Sequence, residues 1–254
     1  MVSKKTGTII LLGSALLMLV LGLLLPPIPQ PQSYHHFAEQ RTWFGIHNAW
    51  DVLSNLPFAL VGIWGLFLLF FDNKIQFIER SERWIWVGIS LGLILVALGS
   101  GYYHLAPDNR RLVWDRLPIT VVFMSFFAAL ISDRINSQLA LWFWPFLLFM
   151  GIFSVLQWYA SELHGTGDLR LYVAVQAYTI LVAFIMLLLP SHYTRSWDIA
   201  VVALLYSLSK VFEIYDNQIY RFCGGMTSGH TLKHLAAALA AFWLIRMMWK
   251  RHIS

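Results

Sequence analysis

The sequence predicts an all-α integral membrane protein, and three observations carry that prediction. Of its 254 residues, 58% are hydrophobic and only 12% are charged. A soluble domain carries roughly twice that charged fraction, about 25%. Eight stretches are apolar over about the 20 residues that a spanning helix needs. Aromatics make up 16% of the chain and include 12 Trp, which suits belts at the two membrane–water interfaces. The net charge of +5 then reads as membrane topology and not as nucleic-acid binding. No stretch is long enough for a separate soluble domain, and no protein partner is inferable.

The apolar stretches run roughly 8–26, 52–71, 84–104, 117–132, 139–159, 171–190, 197–215 and 230–249. The first follows Lys4 and Lys5 as in a signal peptide. It is longer than a signal h-region and lacks an A-x-A-like cleavage site, so it reads as an uncleaved anchor. Pro26-Pro27-Ile28-Pro29-Gln30-Pro31 reads as a stiff linker. The chain therefore divides into an anchor and linker over 1–36 and a helical domain over 37–254. Asp51 opens the second stretch as an N-cap acid. Cys223 is the lone cysteine, which excludes an internal disulfide. Lys and Arg accumulate on the side that holds both termini, which places the termini in the cytoplasm. Short loops point to a bacterial inner membrane.

Ionisable side chains inside apolar stretches are costly, and each is a functional candidate by default. Ser100 and His104 lie four apart at the end of the third stretch. Asp115 precedes the fourth. His230 and His234 lie four apart at the start of the eighth. If the helices alternate, all three ends lie on one membrane face, towards the periplasm. Residues four apart share a helix face, so both pairs can point inward. Three imidazoles leave a fourth tetrahedral position open, which is the pattern of a catalytic zinc site. The blander alternative is a set of interfacial histidines, with Ser100 bonded back to a helix carbonyl.

The quoted residues resemble a family. Gly99-Ser100-Gly101-Tyr102-Tyr103-His104, Trp114-Asp115-Arg116-Leu117-Pro118 and Ser228-Gly229-His230-Thr231-Leu232-Lys233-His234 look like the three signatures of the alkaline ceramidases. These are members of the CREST superfamily of seven-helix membrane hydrolases. Asp51-Val52-Leu53-Ser54-Asn55-Leu56-Pro57 resembles their first core helix, and Gly165-Thr166-Gly167-Asp168-Leu169-Arg170 a signature of bacterial members. The resemblance covers about 37–245. It implies a seven-helix CREST-type bundle formed by the second to eighth stretches, behind one extra N-terminal transmembrane helix. It implies zinc on His104, His230 and His234, with Ser100 and Asp115 catalytic, and a ceramide-like membrane lipid cleaved at its amide to fatty acid and sphingoid base.

The eukaryotic relatives also hold calcium. Glu39, Asn48 and Asp51 could supply its oxygen ligands, although Asn48 stands where the family has Glu. Lys210 and Glu213 are expected to pair inside the bundle. Asp168 and Arg170 are expected to close a loop near the opposite membrane face, and Tyr102 and Tyr103 to act as interfacial anchors. The rival readings are a hydrolase of another lipid amide or ester, and a seven-helix receptor or scaffold with a structural zinc.

Overall fold

A computed structural model describes residues 4–254. The side chains of Lys4 and Lys5, which enter the charge asymmetry, lie outside the described set. Ten α-helices follow in order: α1 (Lys4–Leu24), α2 (Ala49–Leu53), α3 (Leu56–Phe71), α4 (Arg83–Leu105), α5 (Asn109–Arg134), α6 (Ser137–Leu163), α7 (Arg170–Leu187), α8 (Asp198–Ile214), α9 (Asp216–Phe222) and α10 (Gly229–Lys250). No β-strand occurs among the described residues. Among the described residues, six helical stretches are long and apolar enough to cross a membrane: Ala49–Phe71, Arg80–Leu105, Asn109–Arg134, Ser137–Leu163, Arg170–Leu187 and Gly229–Lys250. The chain is a multi-pass membrane protein by this measure. Large apolar side chains such as Leu60, Phe67, Phe71, Trp142 and Phe149 are exposed on the outside of the bundle, where lipid replaces water as solvent.

Neighbour contacts run α3 to α4, α4 to α5, α5 to α7, α7 to α8, α8 to α10 and α10 back to α3. These six helices close a ring. Helix α6 packs outside it against α5 and α7, and α1 packs on α7. The ring's interior is lined by Ile89, Leu93, Val96, Ala183, Val202, Ala240 and Leu244.

Small residues set the close approaches. A Cβ on Gly99 would meet the Trp114 carbonyl oxygen at 2.0 Å. That carbonyl is free because Pro118, four residues on, has no N–H to offer it. The glycine and the proline thus bring α4 and α5 together where Ser100 and Asp115 sit. A Cβ on Gly229 would meet the Phe212 carbonyl at 2.3 Å, so α10 begins hard against the end of α8.

Three sequence expectations are corrected here. The stretch 52–71 is one helix in sequence but two in space. Pro57 in the first turn of α3 cannot donate back to Leu53, and the break is held by Ser54 Oγ and Asn55 Nδ2, which donate to the Asp51 carbonyl at 3.1 and 2.7 Å. Asp51 is consequently not an N-cap. Asn48 occupies that position with φ 51°, while the buried Asp51 carboxylate accepts from Thr231 Oγ1 at 2.7 Å and Ser228 Oγ at 3.3 Å. The Asp168–Arg170 pair forms at 2.8 Å, but on the metal-ligand face and not the opposite one. Leu169 N donates to Ile28 O, and Arg170 reaches the Gly22 and Leu25 carbonyls.

Candidate metal centre

Helix α4 delivers His104 in its last turn, and α10 delivers His230 and His234 in its first two. Helix α10 starts there for local reasons. Ser228 caps it by accepting from Thr231 N at 2.9 Å, as N-cap serines do. Asp216 Oδ1 takes the next free donor, His230 N, at 2.7 Å. With the first turn pinned, the four-residue spacing puts both histidines on the face towards α4.

The three rings form a nearly equilateral triangle, with centroid separations of 4.8, 4.9 and 4.8 Å. One ligand atom from each lies within 4.8 Å of the others, and all three residues are buried. His104 Nε2 and His230 Nε2 are 3.2 Å apart. Two zinc–nitrogen bonds of ~2.05 Å at a tetrahedral angle put their nitrogens about 3.3 Å apart. The donor set therefore fits a small N-liganded ion. His234 supplies a further match. Ser54 Oγ spends its proton on the Asp51 carbonyl, so it accepts from His234 Nδ1 at 2.8 Å. That assignment leaves His234 Nε2 with its lone pair free for an ion, as metal-bound imidazoles require.

Ser100 and Asp115 are both buried, and the serine hydroxyl acts on the carboxylate. They share with His234 the wall of a cavity inside the bundle. Its lining runs from these three residues to Ile89, Phe126 and Leu244. Each of those lies ten or eleven residues along its helix from the polar end, roughly 15 Å at 1.5 Å per residue. The cavity is thus polar at one end and apolar along its length.

The segment between α1 and α2 covers the site and is no mere spacer. Gln30, Phe37 and Glu39 are buried. The Phe37 ring packs on His230 and His104 at 4.2 and 4.7 Å. His35 Nε2 donates to Asn109 Oδ1 at 2.8 Å, so its Nδ1 accepts from Tyr103 OH at 2.9 Å. Burial pulls the His35 pKa below the ordinary histidine value, against the opposing Asn109 bond. Tyr103 is therefore a buried partner of this segment and not an interfacial anchor. Tyr102 is exposed, with the Arg111 guanidinium over its ring.

Lys210 pairs with Glu213 at 2.9 Å, as the sequence suggests. Lys233, which the sequence reading passed over, joins the same carboxylate at 2.6 Å, and Tyr34 OH donates to it at 3.1 Å. The signal was present: a lysine between two buried histidines in an apolar helix needs a counter-charge.

The three calcium candidates are committed to different partners. Glu39 is clasped by Arg41. Asn48 Nδ2 donates to the His104 carbonyl at 2.8 Å. Asp51 is held by Ser228 and Thr231, with Oδ2 lacking a hydrogen-bond partner. Among the described residues the histidine trio is the cluster suited to a metal. No protein-family model matches the chain, and no curated protein matches it.

Proposed function

We propose that the chain is a zinc-dependent intramembrane hydrolase that cleaves the amide of a ceramide-like lipid. The observation that carries this reading is the meeting, at one end of an apolar cavity, of three metal-competent imidazoles with a buried serine and aspartate, Ser100 and Asp115. Helices α3, α4, α5, α6, α7, α8 and α10 then form a seven-helix core, with α2 and α3 counted as one crossing and α9 as a surface turn. Helix α1 is an added anchor. Charge asymmetry puts the termini in the cytoplasm and the site towards the periplasm of a bacterial inner membrane.

Zinc bound by His104, His230 and His234 would supply a lowered water pKa and carbonyl polarisation. The chain's own residues do the rest. The apolar cavity receives the acyl chain and orients the scissile carbonyl towards His234. Phe37 shields the histidines from bulk water. Asp115 accepts a proton from the attacking water and passes it to the leaving nitrogen. Ser100 couples to that transfer. While Asp115 is ionised, the Ser100 hydroxyl donates to it. Once Asp115 is protonated it can donate to Ser100 Oγ, and the serine hydroxyl keeps its proton and turns to donate a hydrogen bond to the developing oxyanion.

Asp115→Asn tests this directly. Ceramide hydrolysis by the purified protein should fall by about 10²–10⁴-fold, the usual worth of a positioned acid–base group. Bound zinc should stay near the wild-type level, because the three imidazoles remain. Full turnover in Asp115→Asn would remove its role. Hydrolysis of esters but not amides by the wild type would move the reading to another lipid class.

A further inference from the structure

Arg116 follows Asp115 directly and is only 5% exposed. Arginine at this depth normally has a carboxylate partner. Arg116 has none among the described residues. Its Nη2 donates to Gln30 Oε1 at 2.5 Å, and Gln30 N in turn donates to Glu162 Oε1 at 2.8 Å. Its nearest link to a carboxylate is thus through an amide. Nη1 is buried without any hydrogen-bond partner. Aromatic rings hold the guanidinium in place: Trp158 at 4.1 Å, Tyr172 at 4.6 Å and Tyr34 at 5.8 Å. Such a cage orients a cation and lowers its solvation cost without neutralising it.

Arg116 also lines the cavity, beside Tyr34 and Tyr172. Three cations, Arg116, Lys210 and Lys233, line it against one carboxylate, Asp115. Glu213 answers both lysines. Asp115 is acted on by both Lys233 and Arg116, so three cations stand against two carboxylates, Asp115 and Glu213. Arg116 is left as a fixed, oriented, uncompensated charge at the polar end of a channel shaped for a chain.

We propose that Arg116 is an anion-binding residue and that the cavity takes a single-chain acyl amide whose headgroup carries a carboxylate. One free nitrogen and one uncompensated positive charge match a monoanion, and a doubly charged phosphate would leave negative charge unanswered in a low-dielectric site. The apolar length of the cavity takes the acyl chain. The amide then lies beside Ser100, Asp115 and His234, with the headgroup on the Arg116 side. This keeps the lipid-amide part of the proposed function, puts an acidic headgroup in place of the sphingoid base, and rests on that function for the position of the amide alone.

The test is binding, measured by titration calorimetry on the full chain in a non-ionic detergent, which needs no turnover. The probes are N-dodecanoylglycine and N-dodecanoylethanolamine, which share the chain and the amide and differ in headgroup charge. Wild type should bind the carboxylate probe at least about tenfold more tightly, as a charge-assisted hydrogen bond in a dry site implies. Arg116→Gln should erase the preference and leave the neutral probe's affinity unchanged. Arg116→Lys, which keeps the charge if the cage will not fold around glutamine, should retain part of it. Equal affinities in wild type, or a preference that survives Arg116→Gln, would overturn the proposal. Dodecanoate competing through Arg116, with no preference between the two amides, would overturn the headgroup assignment and make the anion the released fatty acid. Absence of hydrolysis with the binding preference intact would sink the hydrolase reading and leave Arg116's role standing.

Discussion

The two ends of the helix bundle both bury charge, and they do it differently. At the end where α5 finishes and α10 finishes, the charges answer one another. Arg251 Nη1 donates to both Asp133 oxygens at 2.7 Å, and the guanidinium lies 3.8 Å over the Tyr193 ring. Glu82 accepts from Tyr193 OH at 2.7 Å and Ser137 Oγ at 2.9 Å. Arg134 donates to the Leu189 carbonyl at 2.6 Å. One ion pair, Arg251–Asp133, and these bonds tie helix ends and loops together, while Arg134 Nε and Nη2 and Arg251 Nε and Nη2 find no partner. At the other end, the three histidines aim nitrogens at one another, Arg116 lacks an acid, and Asp51 keeps an open oxygen. Polar groups are buried at both ends at similar desolvation cost. Unpartnered polar atoms occur at both ends, on Arg134 and Arg251 at one and on Asp51, Asn55, His104 and Arg116 at the other; what sets the second end apart among the described residues is that it gathers three imidazoles and opens on the cavity.

That contrast can be broken from either side. The largest effect on stability is expected at the end that holds the Arg251–Asp133 pair. Asp133→Ala strands Arg251 as a buried, unpaired charge, a change that costs about 3–5 kcal/mol. Thermal unfolding in detergent should register the loss, while the protein that remains folded keeps its metal. A smaller effect is expected from Ser54→Ala, which removes the acceptor for His234 Nδ1. Partners of metal-bound imidazoles are commonly worth about 10–100-fold in metal affinity. The nearby Asp51 carbonyl puts this case at the low end, and competition with a chelator of known affinity would measure it. Metal loss in Asp133→Ala, or unfolding in Ser54→Ala, would erase the distinction between the ends.

The smallest effect concerns the segment over the site. The His35 pKa is lowered in the fold because burial opposes the charged form. The unfolded chain therefore takes up its proton first as pH falls. The contribution of His35 is complete above the ordinary histidine pKa near 6.5 and declines as pH drops below it. Hydrogen exchange of residues 30–40 should rise on acidification through that window. His35→Gln, which cannot titrate, should flatten the rise, and an unchanged acid response would assign the effect to another group.

The metal-competent trio was legible because ionisable residues in apolar helices stand out and the four-residue spacing fixes their face. Alternation of helices then brought α4, α5 and α10 together at one end. The break between α2 and α3 was signalled by Pro57, yet hydropathy alone runs through it. The covering segment was not legible. It is irregular and polar, so no periodicity marks which of Tyr34, His35 and Phe37 turn inward, and its position depends on contacts with residues about 70 to 180 positions away. Arg116 is visible in the sequence as a charge at the edge of a spanning stretch. Its missing partner is a property of the packed fold.

The most direct test of the central claim is elemental analysis of the detergent-purified protein, wild type beside His104→Ala and His230→Ala/His234→Ala. The account predicts about one zinc per wild-type chain and close to none in either variant, with helical content unchanged by circular dichroism. A folded wild type that takes up no zinc, even when zinc is supplied, would contradict it and reduce the histidine triangle to helix packing.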